Sequence, residues 1–277
     1  MKRTLMKYLI FADIDGTIRN FDGEVPESAR ETIRQLRRNG HKVLICSGRP
    51  LCEIEPHILE IGFDGIVSAG GARVDYDGKI LVDEFIPDEL LRKFAADLTQ
   101  NFVADFLTSE KDLVLLRQKE AFEAVNRRVQ ENLPEGSARL LLQPQYADSI
   151  DRLHAIEKIT FFGDTVSQDE IRTVWGGRFN FLPFSFRCPF PYGGEILIPG
   201  VNKGSAIRSM LEKTGFERQQ TIGIGDSEND IEMLEAAGIS IAMGNATESA
   251  KRAAGILTDP LTEDGFRNAF LRLGLIS

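Results

Sequence analysis

The feature that most restricts the fold of this chain is a series of short apolar runs, each followed at once by small or polar residues. The runs are Tyr8–Ala12, Val43–Cys46, Ile66–Val67, Thr221–Ile224 and Ile239–Met243. Such runs are typical of strands buried on both faces of a parallel sheet. Helical patterns lie between them, for example from Pro26 to Gly40 and from Asn202 to Gly215. This alternation predicts right-handed βαβ units and an α/β fold with a doubly wound parallel sheet.

The alternation stops between about residues 83 and 194, where helices and strands follow in a mixed order. Helices are predicted over 87–100 and 120–132, and strands over 102–107, 113–117, 156–162, 179–181 and 184–186. We interpret this segment as an α+β domain, 83–194, inserted into a core of 1–82 and 195–277. The aromatic residues of the last two strands are interpreted as a packed sheet face. A length of 277 residues suits two domains.

Composition excludes several classes of protein. Lys and Arg number 33 against 42 Asp and Glu, and the net charge of −9 argues against nucleic acid as a partner. A small anionic substrate remains compatible, because a few cations in one pocket override the net charge locally. Apolar runs are too short for a secretory signal or a membrane span. Three cysteines without CxxC spacing indicate neither disulfides nor zinc, so we expect a cytoplasmic protein without a membrane partner.

Two carboxylates, Asp13 and Asp15, follow the first predicted strand directly, within Asp13-Ile14-Asp15-Gly16-Thr17. Residues at the carboxyl end of a parallel strand face the crevice where open α/β folds bind ligands. One carboxylate could then act as nucleophile and metal ligand and the other as general acid and base. An Asp-rich turn without chemistry would explain this pattern alone about as well.

A second acidic cluster, Gly225-Asp226-Ser227-Glu228-Asn229-Asp230, follows another buried run. If a helix starts near Ser227, Asp230 falls in its first turn, close to Asp226. Carboxylate oxygens with no histidine nearby suit Mg²⁺ better than Zn²⁺. A capped helix N-terminus is the alternative explanation for the same residues.

Two further sites suit a phosphoryl group. Ser47-Gly48-Arg49 ends the second strand and offers a hydroxyl and backbone N–H donors. Lys203, at a helix start, offers a compact positive charge. Either feature alone is more often a solvated turn or helix end, whereas four polar sites at four element ends favour one shared active site.

In order, these four segments resemble the motifs of the haloacid dehalogenase superfamily: Asp13–Thr17, Ser47–Arg49, Lys203-Gly204 and Gly225–Asp230. With Met243-Gly244-Asn245-Ala246 and Asp264-Gly265, the chain is similar to the Cof-type branch of magnesium-dependent phosphatases. This resemblance implies a Rossmann-like core with an α+β cap domain inserted between the second and third motifs, as the chain's layout suggests.

The resemblance also implies roles. Asp13 would attack phosphorus, and Asp15 would protonate the leaving oxygen and then activate water. Mg²⁺ would be held by Asp13, the backbone carbonyl of Asp15 and Asp226.

The remaining motif residues would support that chemistry. Asp230 would orient the water ligands of the metal, a role that Asn229 could share. Ser47, Lys203 and Asn229 would hold the phosphoryl oxygens. Arg49 is a weaker candidate, because it could instead face the substrate or the cap domain.

One position departs from the family pattern. Gly70-Gly71-Ala72 stands where the family usually has Asn-Gly-Ala, so any contact made by that Asn is missing here. Specificity is expected on loops of the inserted domain. Candidates there are Phe184, Phe186, Arg187 and Tyr192, which could equally be packing residues.

The predicted function is a magnesium-dependent phosphatase that hydrolyses a small phosphomonoester, a sugar phosphate or a phosphorylated cofactor, through an aspartyl-phosphate. A phosphosugar mutase and a non-catalytic sensor of a phosphorylated metabolite are the alternatives. The mutase would give an isomerised sugar phosphate, and the sensor would bind without turnover. The expected partner is a small phosphorylated metabolite, and the protein is expected to be a monomer or a small homo-oligomer.

Overall fold

The computed structural model describes residues 6–20, 22–108, 113–116, 118–132, 145–164, 167–182 and 189–277. The strands, in chain order, are β1 (Leu9–Ala12), β2 (Lys42–Cys46), β3 (Gly65–Ser68), β4 (Arg73–Tyr76), β5 (Lys79–Asp83), β6 (Val103–Thr108), β7 (Leu113–Leu116), β8 (Gln145–Ala147), β9 (Ile156–Gly163), β10 (Asn180–Leu182), β11 (Tyr192–Leu197), β12 (Thr221–Gly225), β13 (Ile239–Ala242) and β14 (Ile256–Leu257). The helices are α1 (Glu27–Arg38), α2 (Pro56–Leu59), α3 (Asp88–Asn101), α4 (Lys119–Asn132), α5 (Gln168–Trp175), α6 (Lys203–Thr214), α7 (Ile231–Ala236), α8 (Glu248–Ala253) and α9 (Gly265–Arg272).

The first of two units contains residues up to Gly48, Ile54–Asp83 and the chain from Asn202 onward. Its sheet has the order β14-β13-β12-β1-β2-β3-β4-β5, parallel from β14 to β3 and antiparallel from β3 to β5. β1 lies between β2 and β12, so the carboxyl ends of these three strands meet at one edge of the sheet. The predicted α/β fold with a parallel-rich sheet is confirmed.

Local sequence explains the buried face and the end of α1 and the start of α6. In α1, Ala29, Ile33 and Leu36 are buried on one face, and the chain turns at Gly40, whose φ is +86°. In α6, the Asn202 side chain accepts a hydrogen bond from the Ser205 backbone N–H at 2.8 Å. This cap fixes the first turn of α6, which begins with Lys203.

The second unit contains Arg49–Glu53 and Glu84–Val201. Its sheet has the order β10-β11-β9-β6-β7-β8, antiparallel apart from the parallel β7–β8 pair. Phe94 of α3 packs against Trp175, Phe179 and Phe181 in one hydrophobic core. Phe179 and Phe181 are therefore packing residues, as predicted, whereas the predicted strand over 184–186 lies outside the described residues.

The unit boundaries differ from the sequence-based ones in two places. The second boundary lies between Val201 and Asn202 rather than after residue 194, because β11 continues through Leu197 in its pairing with β9 and β10. The segment Arg49–Glu53 groups with the second unit, which no sequence pattern indicated. Among the described residues, no helix combines the length and apolar character required to cross a membrane.

Candidate active site

Asp13 and Asp15 lie in the turn that follows β1. The Asp13 backbone N–H donates to the Ile224 carbonyl at 3.0 Å, which carries the β1–β12 pairing one residue beyond the strand, and the Asp13 side chain is buried. Gly16 has a φ of +80°, and a Cβ there would lie 2.2 Å from Asp226 Oδ2. Only glycine therefore lets this turn pass so close to Asp226.

Lys203 joins the two acidic clusters. Its Nζ donates to Asp13 Oδ1 at 2.5 Å and to Asp230 Oδ1 at 2.6 Å, and Asn229 Oδ1 lies 3.3 Å away. The Lys203 side chain is 1% exposed. It is therefore a fixed internal cation rather than a flexible surface group.

The Asp226–Asp230 segment is a turn closed by its own last side chain. Asp230 Oδ2 accepts hydrogen bonds from the backbone N–H groups of Asp226 at 2.9 Å and Ser227 at 3.0 Å. The helix expected near Ser227 starts later, because residues 228–230 form a 3₁₀ turn and α7 begins at Ile231. Asp230 nevertheless lies close to Asp226, as predicted.

Burial, followed by repulsion between like charges, shifts the pKa values of this cluster. Burial, and then repulsion from Asp230, raise the pKa of Asp13 from 3.8 to about 7, although Lys203 lowers it. Burial and repulsion from Asp13 raise the pKa of Asp226 from 3.8 to about 9. Burial alone would lower the pKa of Lys203, but Asp13 and Asp230 reverse this and raise it. The Lys203 ammonium therefore offsets only part of the negative charge that this cluster carries when its carboxyl groups are ionised.

The residues present fit a divalent cation. One carboxylate oxygen from each of Asp13, Asp226 and Asp230 lies within 4.8 Å of the others, and all three side chains are buried. Asp226 Oδ1 has no hydrogen-bond partner in the described part of the chain, whereas the oxygens of Asp230 are engaged by Lys203 and the backbone. When all three carboxylates are ionised, they exceed the single Lys203 ammonium by two negative charges. An all-oxygen site of this charge suits Mg²⁺.

Ser47 lies at the carboxyl end of β2, beside β1, with its side chain buried. Its backbone carbonyl accepts from the Gly70 N–H at 2.9 Å. A Cβ on the neighbouring Gly48 would lie 3.2 Å from Asn229 Nδ2. The structure thus brings the Ser47 turn close to the Asp226–Asp230 turn, while Arg49 belongs to the second unit.

Gly70 and Gly71 lie in a left-handed turn that follows β3, where Ala69, Gly70 and Gly71 have φ values of 48°, 65° and 112°. A Cβ on Gly71 would lie 2.5 Å from the Asn202 carbonyl oxygen. The segment that departs from the family pattern is thus packed between the Ser47 turn and the start of α6. Of the specificity candidates, Tyr192 packs against the core of the second unit, and Phe184, Phe186 and Arg187 lie outside the described residues.

Sequence reasoning assigned no role to several residues around the site. Asn245 Nδ2 donates to the Gly16 carbonyl at 2.9 Å, and Asn245 Oδ1 accepts from the Leu261 N–H at 2.9 Å. Arg19 forms an ion pair with Asp15, with Arg19 Nη1 3.2 Å from Asp15 Oδ1. The available sequence signal was the spacing of opposite charges, because Arg19 lies four positions after Asp15.

Comparisons with known proteins find similar chains over nearly the whole length of this one. A family model described as haloacid dehalogenase-like hydrolase matches residues 10–270. The chain is 30% identical over 268 residues to "Putative phosphatase YkrA" of Bacillus subtilis (strain 168), covering 97% of this chain and 98% of the relative. It is 26% identical over 273 residues to 5-amino-6-(5-phospho-D-ribitylamino)uracil phosphatase YitU of the same organism, covering 93% and 94%. A solved haloacid dehalogenase-like hydrolase from Bacteroides thetaiotaomicron, 26% identical, superposes with a TM-score of 0.77 over 96% of this chain and 99% of that one.

Proposed function

Because this chain belongs to the haloacid dehalogenase-like hydrolase family, we propose that it hydrolyses a small phosphomonoester through a phosphoryl group carried on Asp13, with Mg²⁺ as cofactor. Family and enzyme class, a hydrolase of phosphate monoesters, are those that the sequence predicted. The observation that carries the finer proposal is the convergence of Asp13, Lys203 and Asp226 in one buried, cation-deficient cluster.

The first step uses Asp13 as nucleophile. An Asp13 carboxylate oxygen attacks phosphorus, an O–P bond forms, and the bond between phosphorus and the ester oxygen breaks. Asp15 gives its proton to the departing oxygen, so that the product leaves as a neutral alcohol. The lower exposure of Asp13 suits the nucleophile, and the 31% exposed Asp15 suits a group that exchanges protons with water.

The second step regenerates the enzyme. Asp15, now ionised, accepts a proton from a water molecule, and the resulting hydroxide attacks phosphorus. The O–P bond to Asp13 breaks, inorganic phosphate leaves, and both carboxyl groups return to their starting states.

Two cations would stabilise the anionic phosphoryl group, Lys203 and Mg²⁺. Lys203 neutralises a phosphoryl oxygen from its fixed position beside Asp13, and Ser47 and Asn229 supply hydrogen-bonding groups to the others. Asp13, Asp226 and the Asp15 backbone carbonyl would hold Mg²⁺, which would supply the additional charge stabilisation that an anionic nucleophile and an anionic ester require. Asp230 keeps the Asp226 turn in place through its two backbone hydrogen bonds.

The proposed substrate class is a sugar phosphate or a phosphorylated cofactor. It is supported by the relative YitU, whose name specifies a phosphorylated ribitylamino compound and which aligns with 93% of this chain. A small ester of this class also agrees with the acidic net charge of −9, which disfavours extended polyanions.

The test is release of inorganic phosphate from a panel of sugar phosphates, nucleotides and phosphorylated cofactors, with Mg²⁺ and then with chelator. We expect release from a few members, abolished by the chelator. Release that is unaffected by the chelator would overturn the assignment of Mg²⁺. Isomerised sugar phosphate without free phosphate would indicate a mutase instead.

A further inference from the structure

A buried arginine lies beside the side chain that the proposed function makes the acid and base. We propose that Arg19, held by Glu55, is a positioning residue that fixes the Asp15 carboxylate for proton transfer. This inference rests on the proposed function, because it assigns a task to Arg19 only if Asp15 moves protons.

The contact is a three-membered ion network within the first unit. Arg19 Nη1 lies 3.2 Å from Asp15 Oδ1 and 3.0 Å from Glu55 Oε1. The Arg19 side chain is 3% exposed and that of Glu55 is 10% exposed. Arg19 is therefore almost completely shielded from solvent and lies between two carboxylates, so its direct contact is with Asp15.

The backbone of the first motif places Arg19 there. The Gly16 N–H donates to the Arg19 carbonyl at 2.8 Å, and the Arg19 N–H donates to the Ile14 carbonyl at 3.0 Å. The turn after β1 thereby closes on itself and brings Asp15 and Arg19 side by side.

The network is poorly arranged for a purely structural role. One guanidinium nitrogen contacts both carboxylates, and the buried Arg19 Nε–H has no hydrogen-bond partner among the described residues. A buried donor left without a partner lowers stability. Because Arg19 lowers stability through this unpartnered donor, its place beside Asp15 fits a catalytic role better than a stabilising one.

Positioning matters because proton transfer depends steeply on geometry. A carboxylate on a flexible turn samples several rotamers, and only some bring an oxygen to the leaving group. Arg19 restricts the Asp15 side chain by holding one of its oxygens, and Glu55 restrains the same Arg19 nitrogen, Nη1. Loss of either contact should slow the steps in which Asp15 transfers a proton.

The test compares esters that differ in their need for a proton. p-Nitrophenyl phosphate has a good leaving group, whereas an alkyl phosphate turned over in the panel above requires protonation of its leaving oxygen. The values of kcat/KM for both esters are measured with Arg19→Met, Arg19→Lys, Glu55→Gln and Asp15→Asn. Arg30→Met is the matched control, since Arg30 contacts the backbone carbonyls of Val25 and His57 rather than Asp15.

For Asp15→Asn we expect a loss of about 1,000-fold on the alkyl ester and a much smaller loss on the aryl ester. For Arg19→Met and Glu55→Gln we expect about tenfold losses confined to the alkyl ester, with partial recovery in Arg19→Lys. Glu55→Gln keeps the size of the side chain and so tests the network even if Arg19→Met does not fold.

Two results would overturn the inference, and they differ in meaning. Equal losses on both esters in Arg19→Met and Glu55→Gln, beside a selective loss in Asp15→Asn, would reduce Arg19 to a structural residue and leave the proposed function intact. No ester selectivity in Asp15→Asn would remove the acid role of Asp15 and the inference with it.

Discussion

The ammonium of Lys203 lies 2.5 Å from the carboxylate of Asp13, although 190 residues separate the two along the chain. The same ammonium lies 2.6 Å from Asp230. Lys203 reaches this position because Asn202 caps α6 and fixes its first turn, while Asp13 directly follows the central strand β1. The pair therefore connects the motif at the start of the chain with those near its end.

Lys203 should stabilise the fold as well as serve the proposed chemistry. Lys203→Met leaves three buried carboxylates without a cation, so we expect the free energy of unfolding to fall by about 3 kcal/mol at neutral pH. Urea denaturation measures this change, with Lys251→Met as the control because Lys251 forms an ion pair with the exposed Glu248. An unchanged urea midpoint in Lys203→Met would contradict this role.

Replacing aspartate by asparagine should lower stability at Asp230 but not at Asp226. Asp226→Asn relieves charge repulsion at an oxygen without a partner in the described structure, so we expect no loss of stability in metal-free protein. Asp230→Asn weakens hydrogen bonds from two backbone N–H groups and Lys203 and should cost about 2 kcal/mol.

The Asp226→Asn variant also tests whether Asp226 is a ligand of Mg²⁺. Thermal unfolding is measured with and without Mg²⁺, which raises the midpoint if it binds only the folded state. We expect Asp226→Asn to abolish that rise. A full Mg²⁺-dependent rise in Asp226→Asn would show that Asp226 is not a ligand.

Much of the first unit could be predicted from the sequence because its signals are local. The five apolar runs agree with β1, β2, β3, β12 and β13 to within one residue at either end. The predicted helices ending at Gly40 and starting after Asn202 are also present. Buried parallel strands are continuous in hydrophobicity, and caps and glycine stops lie next to the helices they define.

Contacts between distant segments could not be predicted in the same way. The sequence showed that Asp13, Lys203 and Asp230 lie at element ends, but their distances depend on strand order. Glu55 carries no local signal of its contact with Arg19, and the grouping of Arg49–Glu53 with the second unit depends on tertiary packing.

Alanine should lower stability more at Gly71 than at Gly78. Both have positive φ, so an alanine at either position costs about 1 kcal/mol of backbone strain. A Cβ on Gly71 would also lie 2.5 Å from the Asn202 carbonyl oxygen, whereas one on Gly78 would meet no described atom within 4 Å. Gly71→Ala should therefore displace the start of α6 and lower the free energy of unfolding further than Gly78→Ala, as urea denaturation of the two variants measures. Equal effects of the two substitutions would contradict this account.

Asp64 should make stability depend on pH. Burial would raise its pKa, but hydrogen bonds from Arg37, the Val43 N–H and Lys42 outweigh burial and lower it below 3.8. Its stabilising effect is therefore complete above 3.8 and is lost as the pH falls through the lower folded-state pKa. We expect Asp64→Asn to cost about 2 kcal/mol at neutral pH.

This cost should shrink in acid, because below pH 3.8 the unfolded chain takes up a proton at Asp64 that the folded protein resists. Urea denaturation of both proteins at neutral pH and at about pH 3 measures the difference. A difference in unfolding free energy that is constant over this range would exclude the ionised carboxylate as its source.

The central claim is that Asp13 carries the phosphoryl group. Enzyme mixed with excess phosphomonoester and Mg²⁺ is quenched in acid within one turnover, and its peptides are analysed by mass spectrometry for covalent phosphate. We expect phosphate on the peptide that contains Asp13, sensitive to hydroxylamine as an acyl phosphate should be, and none in Asp13→Asn, which should also lose turnover by at least about 1,000-fold. Asp22→Asn, which changes an exposed aspartate, is the control. Phosphate on another residue, or undiminished turnover in Asp13→Asn, would contradict the claim.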